Sequence, residues 1–117
     1  MMQATQTSNG VLVLTLDANR IDAACAVHMK DEFREHTNGH EGRVVMDLSS
    51  VKFMDSSGLG AMVAALKLLK GRKLELCSLT AAVDKVFRMT RMDNVFDIHT
   101  DVLTALSEEG PKGADAA

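Results

Sequence analysis

Residues 44–59 read VVMDLSSVKFMDSSGL, and they contain the signals of three consecutive structural elements. It begins with an apolar run that is typical of a buried β-strand. A short loop follows, after which Ser56 or Ser57 can act as the N-cap of a helix. From Leu59 onward the apolar positions repeat at helical spacing, and Gly71 ends the repeat. The sequence therefore predicts a strand, a loop and a helix in this order.

The chain before this unit predicts a hairpin and a first helix. Asn9-Gly10 is a tight-turn signal directly before the apolar run 11–16, which indicates an antiparallel N-terminal hairpin. Asn38-Gly39 is typical of a helix C-terminus. The helix that ends there has apolar residues at helical spacing, namely Cys25, Met29 and Phe33.

The chain after this unit predicts two more strands, at 74–77 and 95–98, and two more helices. One helix has Thr80 as its candidate cap and the other begins at Asp101. Strand and helix patterns alternate after the hairpin, which is the signature of a mixed sheet packed with helices. The predicted fold class is α/β, with a mixed four- to five-stranded sheet, an N-terminal hairpin and about four helices.

Length and composition limit the class of protein. The chain has 117 residues, of which 46% are hydrophobic, and this is enough for one core. We expect a single domain over residues 1–109 and a flexible tail at 110–117. Aromatic residues make up only 3%, which argues against stacking on bases or sugars. The net charge is −3 and the basic residues are scattered, so we expect no nucleic-acid partner.

The sequence also predicts a cytoplasmic location. The longest apolar stretch, around 59–66, is much shorter than the ~20 residues that a membrane helix needs. The N-terminus MMQATQTSNG is polar and has no basic segment of the signal-peptide type. Cys25 and Cys77 fall outside any CxxC pattern and lie among apolar residues, so we expect buried free thiols in a reducing compartment.

Enzyme motifs are incomplete in this chain. Gly58 and Gly60 imitate a dinucleotide fingerprint, with Glu75 near the place of a ribose-binding acid, but the third glycine is replaced by Val63. A nucleophile elbow needs a glycine two residues before the serine, and the DSSG segment has none there. We expect no catalytic residue and no cofactor, and therefore no enzyme.

A metal site is not expected either. His36 and His40 are four residues apart, a spacing that on a helix could chelate a metal. Asn38-Gly39 lies between them and indicates a helix end, so we interpret both as exposed loop histidines.

The segment 54–60, MDSSGLG, carries the functional prediction. A phosphate on a serine at a helix start would meet the free N–H groups of the first turn and the positive end of the helix dipole. The two glycines would let a partner backbone approach closely. Met54 could join Met89 and Met92 in an apolar rim nearby. From the residues alone, a simple capped helix remains the more frequent interpretation.

The sequence context of this segment resembles a known family. A strand that ends in Asp-Leu, a variable loop and then FMDSSGL is similar to the central motif of the STAS domain family, especially of bacterial anti-sigma factor antagonists. The likeness continues through 74–77, 81–90 and 95–98, so it covers most of the chain. The resemblance implies a STAS-like fold.

The resemblance further implies a partner switch. In that family the unphosphorylated antagonist binds a serine-kinase anti-sigma factor of the histidine-kinase-like ATPase type. Phosphorylation of the first serine after Asp breaks the complex, and a PP2C-type phosphatase restores it. Carried onto this chain, the acceptor is Ser56 and the expected state is a monomer or weak dimer. The residues expected to bind the partner surround it: Asn19, Arg20, Asp22, Met54, Asp55, Ser57, Gly58, Leu59 and Gly60.

One stretch departs from the family pattern. The family often has Gly-x-Leu-Asp where this chain has Asn-Arg-Ile-Asp at 19–22, so Asp22 is kept and Asn19 replaces the glycine. Asn tolerates a positive φ, which would preserve the turn. Arg20 then marks a possible difference in partner. The second hypothesis is a phosphorylation-independent STAS scaffold in a larger complex; the serine at position 56 favours the switch.

Overall fold

A five-stranded mixed sheet forms the middle of the fold in the computed structural model, which describes residues 1–107. Its strands are β1 (Met2–Gln6), β2 (Leu12–Leu16), β4 (Val44–Asp47), β6 (Glu75–Cys77) and β7 (Asp97–His99). They stand in the order β1-β2-β4-β6-β7. The β1–β2 pair is the predicted antiparallel hairpin, and the other neighbours are parallel.

Two further short strands form a separate parallel sheet, in which β3 (Arg20–Ile21) pairs with β5 (Phe53–Met54). This ribbon is not predicted from the sequence, because two residues are too few to show a period. Four α-helices complete the described part: α1 (Ala23–Thr37), α2 (Ser56–Leu68), α3 (Ala81–Met89) and α4 (Val102–Ser107). The predicted mixed α/β class, the hairpin and the helices are confirmed.

The last strand begins later than predicted. A 3-10 turn at Met92–Asn94 precedes it, and the Met92 carbonyl accepts hydrogen bonds from Val95 at 2.9 Å and Phe96 at 3.0 Å. These two residues therefore belong to the turn, and β7 starts at Asp97. The predicted boundary at residue 109 and the predicted tail at 110–117 lie outside the described residues.

The sheet has two differently covered faces. Leu12, Leu14 and Leu16 of β2 belong to the main core, together with Met29 and Phe33 of α1 and Met62 and Ala65 of α2. Val11, Val13 and Val45 belong to a smaller cluster with Cys77 and Ala105 of α4. Alternating side chains of β2 thus enter opposite clusters, as the period of a strand requires.

The two cysteines differ in burial. Cys77 is fully buried, and its burial together with the nearby Asp47 carboxylate raises the pKa of its thiol to about 12. Cys25 is only partly buried, and its Sγ lies 3.5 Å from the Arg20 carbonyl oxygen. The prediction of buried free thiols is therefore right for Cys77 and wrong for Cys25, because α1 is covered on one side only.

A buried ion pair joins the sheet to α4. The Glu75 side chain is 1% exposed, and its carboxylate accepts hydrogen bonds from Arg43 Nε at 2.9 Å and Nη2 at 2.6 Å. His99 Nε2 lies 2.8 Å from the same carboxylate. Arg43 Nη2 also donates to the Ala105 carbonyl at 2.9 Å, which ties α4 to the sheet. Because Glu75 is enclosed and paired, it is not available as a ribose-binding acid.

We predict that Arg43→Ala lowers the free energy of unfolding by about 3 kcal/mol, because the buried Glu75 carboxylate loses its guanidinium partner. Urea denaturation followed by circular dichroism measures the change. Arg34→Ala is the matched control, since Arg34 is 53% exposed and pairs with Asp31 on the surface of α1. The control should change stability by less than about 1 kcal/mol. Equal losses of stability in the two variants would contradict the role of Arg43 as the partner of the buried Glu75 carboxylate.

Candidate functional site

Two strand-to-helix junctions lie side by side at the small sheet. In the β3–β5 pair Arg20 faces Phe53 and Ile21 faces Met54, and each strand is followed by an aspartate that begins a helix. The next residues of the two strands, Asp22 and Asp55, therefore stand at the same level. We call the surface formed by Asn19–Asp22 and Phe53–Gly60 the serine corner.

Both aspartates are N-caps. Asp22 Oδ1 accepts a hydrogen bond from the Ala24 N–H at 3.1 Å, at the start of α1. Asp55 Oδ1 accepts one from the Gly58 N–H at 2.9 Å, at the start of α2. A carboxylate at this position satisfies an otherwise unpaired donor and interacts favourably with the helix dipole.

The expectation that Ser56 or Ser57 caps α2 was wrong. Asp55 has the extended backbone of a cap residue, with φ −100° and ψ −171°, and the two serines are the first two helical residues. Both serines are exposed, and within residues 1–107 the Ser56 hydroxyl makes no hydrogen bond. The Ser56 hydroxyl is therefore accessible and has no part in starting the helix.

The two glycines have different roles. Gly58 is buried, and a Cβ placed on it would overlap the Ile21 carbonyl oxygen; Gly60 has no atom within 4 Å of such a Cβ. Ile21 O also accepts a hydrogen bond from the Asp55 N–H at 3.4 Å. The space beside Gly58, which was expected to admit the backbone of a partner, is thus filled by the Ile21 carbonyl of the chain itself. Only Gly60 of the two glycines has open space beside it.

The remaining candidate residues are partly exposed, with one exception. Leu59 is half-buried against the core, whereas Met54 is 4% exposed and lies within it. Met54 therefore does not belong to an apolar surface rim, although Met89 is 72% exposed. Asn19 is exposed, and its carbonyl accepts hydrogen bonds from the N–H groups of residues 52 and 53 at 2.7 and 3.3 Å.

Asn19 does not need the conformational freedom of glycine. Within residues 1–107 the non-glycine residues with positive φ are Lys70, Ser78 and Arg91, so Asn19 is not among them. The expectation that Asn19 preserves a left-handed turn was wrong, and the replacement of glycine costs no backbone strain at this position.

Arg20 forms a stacked pair that the sequence does not predict. Its Nε donates to Asp22 Oδ2 at 3.1 Å, and its guanidinium carbon lies 4.8 Å from the centroid of the Phe53 ring. Phe53 is 45% exposed, so this ring and the guanidinium together form part of the surface. No sequence signal marks this pair, because Arg20 and Phe53 are far apart along the chain and meet only through the pairing of β3 with β5.

The histidine interpretation is corrected in detail. His36 lies in the last turn of α1, and His40 follows the helix; both are partly buried. His40 Nε2 lies 3.0 Å from the Arg43 carbonyl oxygen.

Residues 1–107 contain no group of three side chains suited to hold a metal ion. None of the helices described in this range combines the length and apolar character needed to cross a bilayer.

This mixed α/β fold is that of a STAS domain. The chain belongs to the STAS domain family, whose model matches residues 2–105. The fold agrees with the solved structure of an anti-sigma-factor antagonist (STAS) domain protein from Planctomyces limnophilus, at a TM-score of 0.80 and 23% identity over 91% of this chain and 94% of that one.

Within this family the chain is similar to bacterial anti-sigma factor antagonists. It is 38% identical over 82 residues to the anti-sigma-B factor antagonist of Listeria monocytogenes, covering 69% of this chain and 70% of the relative. It is 31% identical over 67 residues to the anti-sigma F factor antagonist of Paenibacillus polymyxa, where the match spans 56% of this chain and just over half, 57%, of that protein. In fold alone, it also resembles the solved structure of the Bacillus cell fate determinant SpoIIAA in the phosphorylated form, at a TM-score of 0.61 and 17% identity over 86% of this chain and 92% of that one.

We predict that Gly58→Ala destabilises the protein by about 1 to 3 kcal/mol, because the added methyl group must displace the Ile21 backbone. Gly60→Ala in the same helix is the matched control and should stabilise by roughly 0.5 to 1 kcal/mol, since its methyl group enters open space. Thermal unfolding of the two variants measures both signs. Two stabilising substitutions would refute the close contact between β3 and α2.

We predict that Asp55→Ala lowers the free energy of unfolding by about 1 kcal/mol, because the Gly58 N–H loses its acceptor. Asp55→Asn keeps the cap geometry while removing the charge, so it should cost only a few tenths of a kcal/mol. Chemical denaturation of the three proteins measures the difference. If the alanine and asparagine variants were equally stable, Asp55 would not be the cap.

Proposed function

We propose that this protein is an anti-sigma factor antagonist that acts by partner switching, and that Ser56 is its phosphorylation site. The observation that supports this proposal best is the exposed, unbonded Ser56 hydroxyl at the first position of α2, directly after the capping Asp55. The antagonist names of its relatives from Listeria and Paenibacillus point to the same activity.

The division of labour between Asp55 and Ser56 supports a reversible modification. Because Asp55 caps the helix, a phosphate on Ser56 removes no hydrogen bond on which α2 depends. A phosphate in the first turn also interacts favourably with the helix dipole. The modified protein is therefore expected to keep its fold, so that phosphorylation acts through the surface and not through unfolding.

Charge explains how the modification would break a complex. A phosphoserine adds about −1.5 to −2 charges near neutral pH. At Ser56 this charge would join two carboxylates, Asp22 and Asp55, which stand at the same level of the β3–β5 ribbon. A partner that docks on the serine corner through acidic or apolar groups would be repelled and obstructed there. No refolding is needed for release.

The partner in this proposal is a serine-kinase anti-sigma factor of the histidine-kinase-like ATPase type, and a PP2C-type phosphatase resets the switch. The binding surface is the exposed part of the serine corner: Asn19, Arg20, Asp22, Asp55, Ser57, Leu59 and Gly60. Met54 and Gly58 contribute by shaping it from below, since both are buried. The protein would act by binding and not by catalysis, in the cytoplasm, as a monomer or weak dimer.

The experiment is a capture of partners from native cells with immobilised Ser56→Ala and Ser56→Asp proteins. We predict that the alanine bait enriches a protein with a histidine-kinase-like ATPase domain at least ten-fold over the aspartate bait, because the added carboxylate repeats part of the charge of a phosphate. The recovered kinase with ATP should then add a single phosphate, detected by intact mass and mapped to Ser56.

Ser8→Ala and Ser8→Asp form the control pair, since Ser8 is an exposed serine in the turn between β1 and β2, outside the serine corner. These two baits should capture the kinase about equally well. Equal capture by the two Ser56 baits, without phosphate transfer, would refute the switch and favour the alternative function of a phosphorylation-independent STAS scaffold.

A further inference from the structure

The serine corner contains a cation whose position suits it to respond to a phosphate. Arg20 is the residue before Ile21 in β3, and its side chain runs along the ribbon to Asp22, where Nε donates a 3.1 Å hydrogen bond. The strands pair Arg20 with Phe53 and Ile21 with Met54, and continuing this register by one residue places Asp22 beside Asp55. The guanidinium therefore reaches the level of Asp55, and Ser56 is the next residue of the chain.

Arg20 is held in this place by two weak contacts. Its side chain is 62% exposed, so the ion pair with Asp22 is screened by solvent. The stacking on Phe53 is likewise at the surface, where cation–π contacts are weakest. Within residues 1–107 the two Nη groups of Arg20 make no hydrogen bond. A guanidinium with unused donors and weak restraints can change partners.

We propose that Arg20 is the internal receptor of the phosphate on Ser56: in the unphosphorylated protein it pairs with Asp22, and after phosphorylation it pairs with the phosphate. This inference rests on the proposed function for the site of modification. A phosphate carries up to twice the charge of a carboxylate and offers three acceptor oxygens, which match the planar donor set of arginine. The exchange therefore favours the phosphate over Asp22.

The exchange of partners changes the surface beyond the phosphate itself. Once Arg20 turns to the phosphate, the Asp22 carboxylate loses its counter-ion and the Phe53 ring loses the cation that lies over it. Three features of the serine corner then change together: the new dianion, the freed carboxylate and the uncovered ring. A kinase that recognises the stacked Arg20–Phe53 pair would lose this contact upon phosphorylation, in addition to being repelled.

The proposal is tested on protein that carries phosphoserine at position 56, introduced during translation so that no kinase is needed. The 31P signal is followed during a pH titration, and the second pKa of the phosphate is read from it; a free phosphoserine titrates with a pKa of about 6. Arg20→Gln should raise this pKa by about 0.5 to 1 unit relative to the wild-type sequence, since it removes the cation that stabilises the dianion.

Two further variants sharpen the comparison. Arg34→Gln removes an ion-paired arginine on the surface of α1, 53% exposed against 62% for Arg20, and should leave the titration unchanged. Arg20→Lys keeps the charge without the planar donor set and should give an intermediate pKa. The Nε–H signal of Arg20 in proton–nitrogen spectra should also shift through the same pH range as the phosphate.

An identical phosphate titration in the wild-type and Arg20→Gln proteins would overturn the proposal, as would an Arg20 Nε–H signal that ignores the phosphate. Either result leaves the proposed function intact, because capture by the Ser56 baits does not depend on Arg20 binding the phosphate. Conversely, a failure of partner capture leaves the titration interpretable, because the phosphate is installed without a partner. The Arg20–phosphate pairing and the partner switch can therefore be refuted independently of each other.

Discussion

The close approach of the Ile21 carbonyl to Gly58 is the contact on which the serine corner depends. Because position 58 has no side chain, the start of α2 can lie against β3, and the Asp55 N–H can bond to the same carbonyl. This contact sets β3 beside β5 and brings two strand-to-helix junctions to one level. Any larger residue at position 58 would separate the parts from which the surface is built.

The corner divides structural and regulatory work between neighbouring residues. Asp22 and Asp55 satisfy the helix starts, which leaves Ser56 at the first helical position without a structural task. The anchor that joins α4 to the sheet, formed by Arg43 and Glu75, involves neither these caps nor Ser56. A modification at Ser56 can thus alter charge at the surface while the fold retains its caps and its buried ion pair.

The elements with strong apolar periodicity were predicted correctly from the sequence. The short ribbon and the cap of α2 were not, because backbone geometry determines both. The hairpin and the helices can be predicted from apolar spacing and turn residues. The β3–β5 ribbon cannot be predicted in this way, because Arg20–Ile21 and Phe53–Met54 are too short to show a pattern. Aspartate and serine are equally good caps, so only the extended backbone of Asp55 identifies the cap of α2. The assignment of Ser56 as the acceptor came from family resemblance. The Arg20–Phe53 stack depends on the pairing of β3 with β5, which no pattern in the sequence reveals.

The claim that a phosphate on Ser56 controls binding at the serine corner can be tested directly by nuclear magnetic resonance. Amide spectra of the isotope-labelled protein are recorded while its kinase partner is added. Signals of Asn19–Asp22 and Phe53–Gly60 should broaden or shift first in the unphosphorylated protein. With phosphoserine at position 56 the same additions should leave them unchanged. Amide signal changes centred on β1 or α4, or equal changes in the phosphorylated and unphosphorylated forms, would contradict the claim that the phosphate controls binding at the serine corner.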